Sequence, residues 1–189
     1  MRTFLCVPIA EPLRGKLSDI SSRLHQGIDV RASWVPAENL HLTLRFLGEI
    51  KPELVRRIEQ ACRNIADELD SFVVPIDRVG AFPSLARPRV VWAGGPATGH
   101  FLRLAEAVNR ELSPVGFPAE RNDPIPHITL ARIKGRTHRS MAETIRSSKP
   151  PAGLPLSIDR IVLMQSRLTR TGADYAPIFS FPLGESGAV

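Results

Sequence analysis

Two tetrapeptides constrain this chain more than any other feature: HLTL, His41 to Leu44, and HITL, His127 to Leu130. Each reads histidine, aliphatic, threonine, aliphatic. The period-2 alternation of a half-buried strand sends the histidine and threonine to one face and the two aliphatics to the other. Each copy therefore presents an imidazole and a hydroxyl, two residues apart, from the same side of a sheet. The copies lie nearly half the chain apart, one in each half. A fold that brings two such strands together makes a site with two titrating groups and two hydroxyl donors, which is the equipment for acid–base chemistry on a phosphate.

The segments around the motifs repeat in order. Residues 2–10 read as a strand, and Leu13, Leu17, Ile20 and Leu24 recur at helical spacing over residues 11–26, with Gly27 as a stop. Residues 31–35 are a short extended piece. Asn39 to Phe46 is the first motif strand, closed by Gly48. Pro52 opens a helix whose apolar face runs from Leu54 to Leu69. Ser71 to Val79 alternates as a strand and ends in a turn from Gly80 to Pro83. In the second half, Arg89 to Ala93 is a strand, Phe101 to Leu112 a helix, Ile125 to Ile133 the second motif strand and residues 137–148 a helix. Leu154 to Gln165 and Tyr175 to Leu183 are strands joined by a turn-rich stretch. Strand, helix, motif strand, helix, strand thus occurs twice. This order predicts an α+β class: two pseudo-symmetric lobes, each a mostly antiparallel sheet with outer helices, the sheets facing across a central cleft. Residues 1–184 are expected to form one two-lobed domain, since no long polar linker divides them, and residues 185–189 a frayed tail.

Composition adds bounds. No run of about 18 apolar residues is present, so no membrane-spanning helix is expected. The N-terminal apolar run meets Glu11 and Pro12 and lacks a signal peptide's cleavage site, so a cytoplasmic protein is expected. Cys6 and Cys62 form no CxxC and no disulfide framework, and both read as buried, inert thiols. The net charge is +6, with Arg outnumbering Lys 21 to 4. That balance favours polyanionic partners such as RNA, and guanidinium matches phosphate geometry better than ammonium does. Genomic base composition can enrich arginine equally well, so the charge alone decides nothing.

Among five histidines, three are followed two places later by Ser or Thr. His138, in GRTHRS, has no apolar alternation around it and reads as coincidence. His25 and His100 read as surface residues. A single HxT on a strand is more often a satisfied structural histidine, whereas two in matching context point to a site. Zinc needs three or four ligands at short spacing, and neither motif has an acid at ligand spacing on its face, so no metal is expected. No GxSxG elbow and no GxxxxGK[ST] loop occurs, which leaves serine-hydrolase chemistry and ATP use without a visible site.

HLTLRFLG and HITLAR at this separation resemble the 2H phosphoesterase superfamily and, within it, the bacterial RNA 2′,3′-cyclic phosphodiesterases, also called 2′-5′ RNA ligases. The resemblance extends over the opening RTFLCVPI, WVPAENLHLTLRFLGEI, RVVWAG, PHITLARI and the late SRLTRTGADYAPI. It implies a cleft in which the two motifs face each other around an RNA end carrying a 2′,3′-cyclic phosphate, or a cyclic nucleotide. It implies His41 as general acid (proton donor) and His127 as general base (proton acceptor), although the near-symmetric motifs do not by themselves assign that order. Thr43 and Thr129 would donate hydrogen bonds to the non-bridging oxygens. Arg132 has odd spacing from His127, so a strand end or bulge is needed for it to reach the phosphate. Arg45 shares the even-spaced face with His41 and is expected beside the cleft, or else as a solvated charge at a sheet edge. No cofactor is implied, no membrane is involved and a monomer is expected. A non-catalytic module binding an RNA end or nucleotide in the same cleft is the competing expectation; two titrating groups are more than binding needs.

Overall fold

The helices form where apolar residues recur along one face. A computed structural model describes residues 1–120, 122–135, 139–148, 150, 153–169 and 172–184. His138 and the tail 185–189 lie outside the described residues. In chain order the elements are β1 (Arg2–Pro8), α1 (Leu13–Gly27), β2 (Ala32–Trp34), β3 (His41–Glu49), α2 (Val55–Glu68), β4 (Phe72–Ile76), β5 (Arg78–Phe82), β6 (Val90–Gly94), α3 (Gly99–Leu112), β7 (His127–Ile133), α4 (Arg139–Ser147), β8 (Leu154–Ile158), β9 (Arg160–Leu168) and β10 (Ala173–Pro182). In α2 the stripe Ile58, Ala61, Cys62, Ile65 and Ala66 is buried, and in α3 the stripe Phe101, Leu104, Ala107, Val108 and Leu112. Thr98 caps α3, its Oγ1 accepting from the Phe101 amide at 3.3 Å.

The architecture is mixed α and β with a mostly antiparallel sheet. The strands run β10-β9-β1-β3-β7-β6-β5, with β2 also pairing β7, and β4 and β8 form a separate antiparallel pair. The two half-sheets touch at a single registered pair, Leu42 opposite Ile128, so they join edge to edge at that point. One apolar core runs through both halves of the chain. The opposite face of the first half-sheet carries a small second cluster of Phe4, Cys6 and Val162, with Met164 and Tyr175 packed against it.

Each half-sheet borrows from the other half of the sequence. β9 and β10 join β1, while β5 joins β6. The helices cross over as well: α1 packs on β7 and α4, and α3 packs on β3 and α2. This exchange accounts for two differences from the sequence expectation. Ser71 to Val79 is not one strand; the chain leaves β4 at Asp77 and enters the other sheet as β5. Leu154 to Gln165 breaks in the same way at Asp159, between β8 and β9. Each break falls at an Asp-Arg pair, Asp77–Arg78 and Asp159–Arg160, where two successive polar residues interrupt the alternation.

Two glycines also act differently. Gly80 lies within β5 instead of in a turn: the indole of Trp92 packs on it, and a Cβ there would sit 2.4 Å from the ring. Gly48 lies within β3, which continues to Glu49, and takes φ +70° beside an irregularity in the β1 pairing. Among the described residues no helix is long and apolar enough to cross a membrane. Cys6 and Cys62 are buried, and burial pushes both thiols up to about 12.

Candidate active site

The junction of β3 and β7 organises the site. Leu42 and Ile128 are fully buried, so the residues on either side of each turn to the opposite face, and His41, Thr43, His127 and Thr129 are all half-buried there. The antiparallel sense of the pair sets His41 against Thr129 and Thr43 against His127 at the junction. Thr43 and His127 line one cavity of about 400 Å³, together with Phe82, residues of α3, and Glu120, Asn122 and Asp123 of the loop that leads into β7. The four motif residues expected to meet are therefore brought together.

The two imidazoles are held alike. Nδ1 of His41 lies 2.7 Å from the Asn39 carbonyl, and Nδ1 of His127 lies 2.7 Å from the Ile125 carbonyl. A carbonyl only accepts, so Nδ1 carries the proton and donates it, and Nε2 is the atom left to titrate. Each ring is also packed by aromatics. Phe4 and Tyr175 lie 4.8 and 5.2 Å from His41, and Phe82 and Trp92 lie 5.0 and 6.2 Å from His127. These four aromatics come from other strands, and the sequence does not mark them as site residues; Phe4, Trp92 and Tyr175 fall in stretches that carry the resemblance, and Phe82 does not. Desolvation by burial is the main cause holding both imidazoles below the usual histidine range. The Arg132 charge adds to it at both rings, and the His127 charge adds to it at His41.

A β-bulge in each motif decides the arginines. In the β1–β3 ladder Cys6 pairs with Thr43 but Leu5 pairs with Arg45, so Leu44 is the extra residue. In the β6–β7 ladder Trp92 pairs with Thr129 but Val91 pairs with Ala131, so Leu130 is extra. One extra residue reverses the alternation beyond it. Arg132 consequently shares the face of His127 and Thr129, exposed, with its charge felt by both histidines. The expectation for Arg45 is corrected by the same reversal. Arg45 turns to the opposite side and is only 7 % exposed; it is neither a cleft-lining group nor a solvated edge charge. Its guanidinium donates to Asn109 Oδ1 at 2.7 Å and to the Pro118 carbonyl, with Glu120 at 3.7 Å. The position that Arg45 was expected to fill belongs to Phe46, which is 60 % exposed. Both six-residue stretches have the same length, and nothing in their composition marks the extra residue. Among the described residues no group of three or more His, Cys, Asp or Glu is placed to hold a metal ion.

Comparison with known proteins follows the same outline. The pattern of the LigT like phosphoesterase family matches residues 7–92 and 95–175. An RNA 2′,3′-cyclic phosphodiesterase of Aeropyrum pernix is 34% identical over 178 residues, covering 93% of this chain and 99% of that one. An RNA 2′,3′-cyclic phosphodiesterase of Archaeoglobus fulgidus is 34% identical over 181 residues, covering 96% and 99%. Among solved structures, the TT0787 protein of Thermus thermophilus superposes with a TM-score of 0.82 at 29% identity, over 98% of this chain and 100% of that one.

Proposed function

The chain belongs to the LigT like phosphoesterase family, and from that premise we propose that it opens RNA 2′,3′-cyclic phosphate ends to 2′-phosphates by two-histidine acid–base catalysis without a metal. The observation that carries this reading is the matched tethering of the two imidazoles. Each Nδ1 is committed to a backbone carbonyl and each Nε2 is left to titrate, on one face, beside a threonine of the other motif. The names of the relatives from Aeropyrum pernix and Archaeoglobus fulgidus support the substrate.

A water oxygen attacks phosphorus opposite the ribose 3′ oxygen. The P–O bond to water forms as the P–O3′ bond breaks. Nε2 of His127 accepts the water proton, and protonated Nε2 of His41 gives its proton to O3′. Thr43 and Thr129 donate to the non-bridging oxygens as charge builds on them, and Arg132 supplies a full positive charge on the same face. The order of acid and base follows from how the substrate lies: the imidazole nearer the leaving oxygen is the acid, which the family resemblance makes His41. The bound phosphate's negative charge favours protonation of one ring, opposing the desolvation that holds both imidazoles below the usual histidine range. A 5′-hydroxyl in place of water gives a 2′-5′ linkage by the same displacement. The strained ring supplies the driving force, and no ATP enters.

The test is incubation with 2′,3′-cyclic nucleotides in EDTA, with product position read by ³¹P NMR. A 2′-phosphate is expected, at a rate unchanged by the chelator. Tight binding without turnover would favour the non-catalytic binding module.

A further inference from the structure

We propose that the edge where β2, β7 and β6 end is the track for the RNA chain upstream of its cyclic end, gripping the backbone phosphates electrostatically; this rests on the phosphodiesterase reading above.

Three neighbouring strand ends each bring a cation to this edge. Arg31 immediately precedes β2, Arg89 immediately precedes β6, and Lys134 follows β7. Backbone hydrogen bonds knit the three together: the Lys134 amide donates to the Arg31 carbonyl at 2.8 Å, and the Ile133 amide to the Arg89 carbonyl at 2.9 Å. Arg87 lies two residues from Arg89 in the turn between β5 and β6, and Arg132 stands in register with Val90 and Ser33 on the strands to either side. All five side chains are exposed, and none takes part in the ion pairs found among the described residues. Asp29, the acid beside Arg31 in sequence, is exposed and joins none of those ion pairs either. Elsewhere several arginines are neutralised internally: Arg14, Arg63, Arg78, Arg110 and Arg160 all pair with acids. Cations held together without counter-charges raise a local positive potential, which attracts a polyanion.

The opposite end of β7 argues the direction. There the loop entering the strand lines the cavity with Glu120, Asn122 and Asp123 beside His127. Ionised carboxylates repel a phosphate chain and have no proton to donate to it. A chain whose cyclic end sits among the motif residues therefore leaves along β7 toward Arg132 and the cationic edge. Arg132, felt electrostatically by both histidines, is the link between the reacting phosphate and that edge.

The test compares two triple variants of equal charge change. One is Arg31→Glu, Arg89→Glu and Lys134→Glu. The control is Arg23→Glu, Arg56→Glu and Arg103→Glu, on the exposed faces of α1, α2 and α3. Binding of a fluorescent single-stranded 12-nucleotide RNA ending in a 2′-phosphate is followed by anisotropy across a salt series, with folding checked by circular dichroism. The edge variant is expected to bind about 100-fold more weakly than the control, at roughly fivefold per lost contact. Its plot of log affinity against log salt should be shallower by about 2, at roughly 0.7 per phosphate on a single strand. Opening of a cyclic mononucleotide, which has no upstream chain, should be alike in both. Equal weakening of RNA binding in the two variants overturns the track. Because the binding assay uses product, it reads the track even if the wild-type protein opens no cyclic phosphate, the result that would sink the phosphodiesterase reading instead.

Discussion

The stretches HLTLRF and HITLAR build the same local device and then part company at their last two residues. Both tie Nδ1 of the histidine to the carbonyl two residues earlier, at 2.7 Å, and both bulge at the aliphatic after the threonine. Both imidazoles meet an aromatic edge about equally closely. Beyond the bulge, the first stretch turns Arg45 inward and Phe46 outward, whereas the second turns Ala131 inward and Arg132 outward. The scaffold is symmetric at the histidine and threonine that the proposed reaction uses in pairs. It is asymmetric where one side must hold a charge and the other must hold the fold. Arg45 is tolerated inside because α3 and the loop after it supply Asn109 and the Pro118 carbonyl, with Glu120 close by.

The largest expected effect tests the symmetric part. His41→Ala and His127→Ala should each lower single-turnover opening of a cyclic-phosphate oligonucleotide by about 10²–10⁴-fold, with the double variant falling short of the product of the two losses. Thr43→Val and Thr129→Val should cost comparable amounts to one another, up to the roughly 2.7–4 kcal/mol of a lost oxyanion donor. A large loss at one motif beside a negligible loss at the other would break the symmetry in function.

Exchange of the outward residues comes next. Arg132→Phe should lower kcat/KM by about 10–100-fold, on the scale of one lost charge-assisted hydrogen bond of roughly 1.5–3 kcal/mol. Adding Phe46→Arg in the same chain should recover part of it, because the second arginine then enters from the equivalent position. No recovery at all would mean that the two positions are equivalent in backbone only.

The inward residue should act on stability. Arg45→Met removes the donors that satisfy Asn109 and the Pro118 carbonyl, at an expected cost of about 1–3 kcal/mol in urea unfolding. An unchanged unfolding midpoint would show that the loop holds itself.

The smallest effect is on pH dependence. Both histidines have folded pKa values held below the usual range, so between about pH 6.5 and those lower values the unfolded chain binds more protons. Stability should therefore fall as pH drops through that window and level off below it. Replacing both histidines with Asn should flatten the slope. Arg132→Met removes a cause that lowers both rings, so both limbs of the kcat/KM profile should move to higher pH, read alongside the imidazole NMR titrations.

Much of this was legible in the sequence because it is local. Period-2 alternation over four residues placed each His and Thr on one face, and each motif strand, helix face and turn lies within a window in which neighbouring residues decide the conformation. The spacing of Leu13, Leu17, Ile20 and Leu24 marked α1, whose Leu13–Gly27 span differs from the expected 11–26 only at its ends. What the sequence could not decide is set by partners distant in the chain. Whether Arg45 or Phe46 faces the cleft depends on one extra residue opposite β1, and whether Arg132 shares the face of His127 and Thr129 depends on one extra residue opposite β6. A bulge is a property of a pair of strands, and its energetic consequences arise in the ladder between them, so a single strand's residues carry no mark of it. The crossing of β5, β9 and β10 into the other half's sheet has the same origin: alternation says which face a strand buries, and only tertiary pairing says which neighbour it buries it beside.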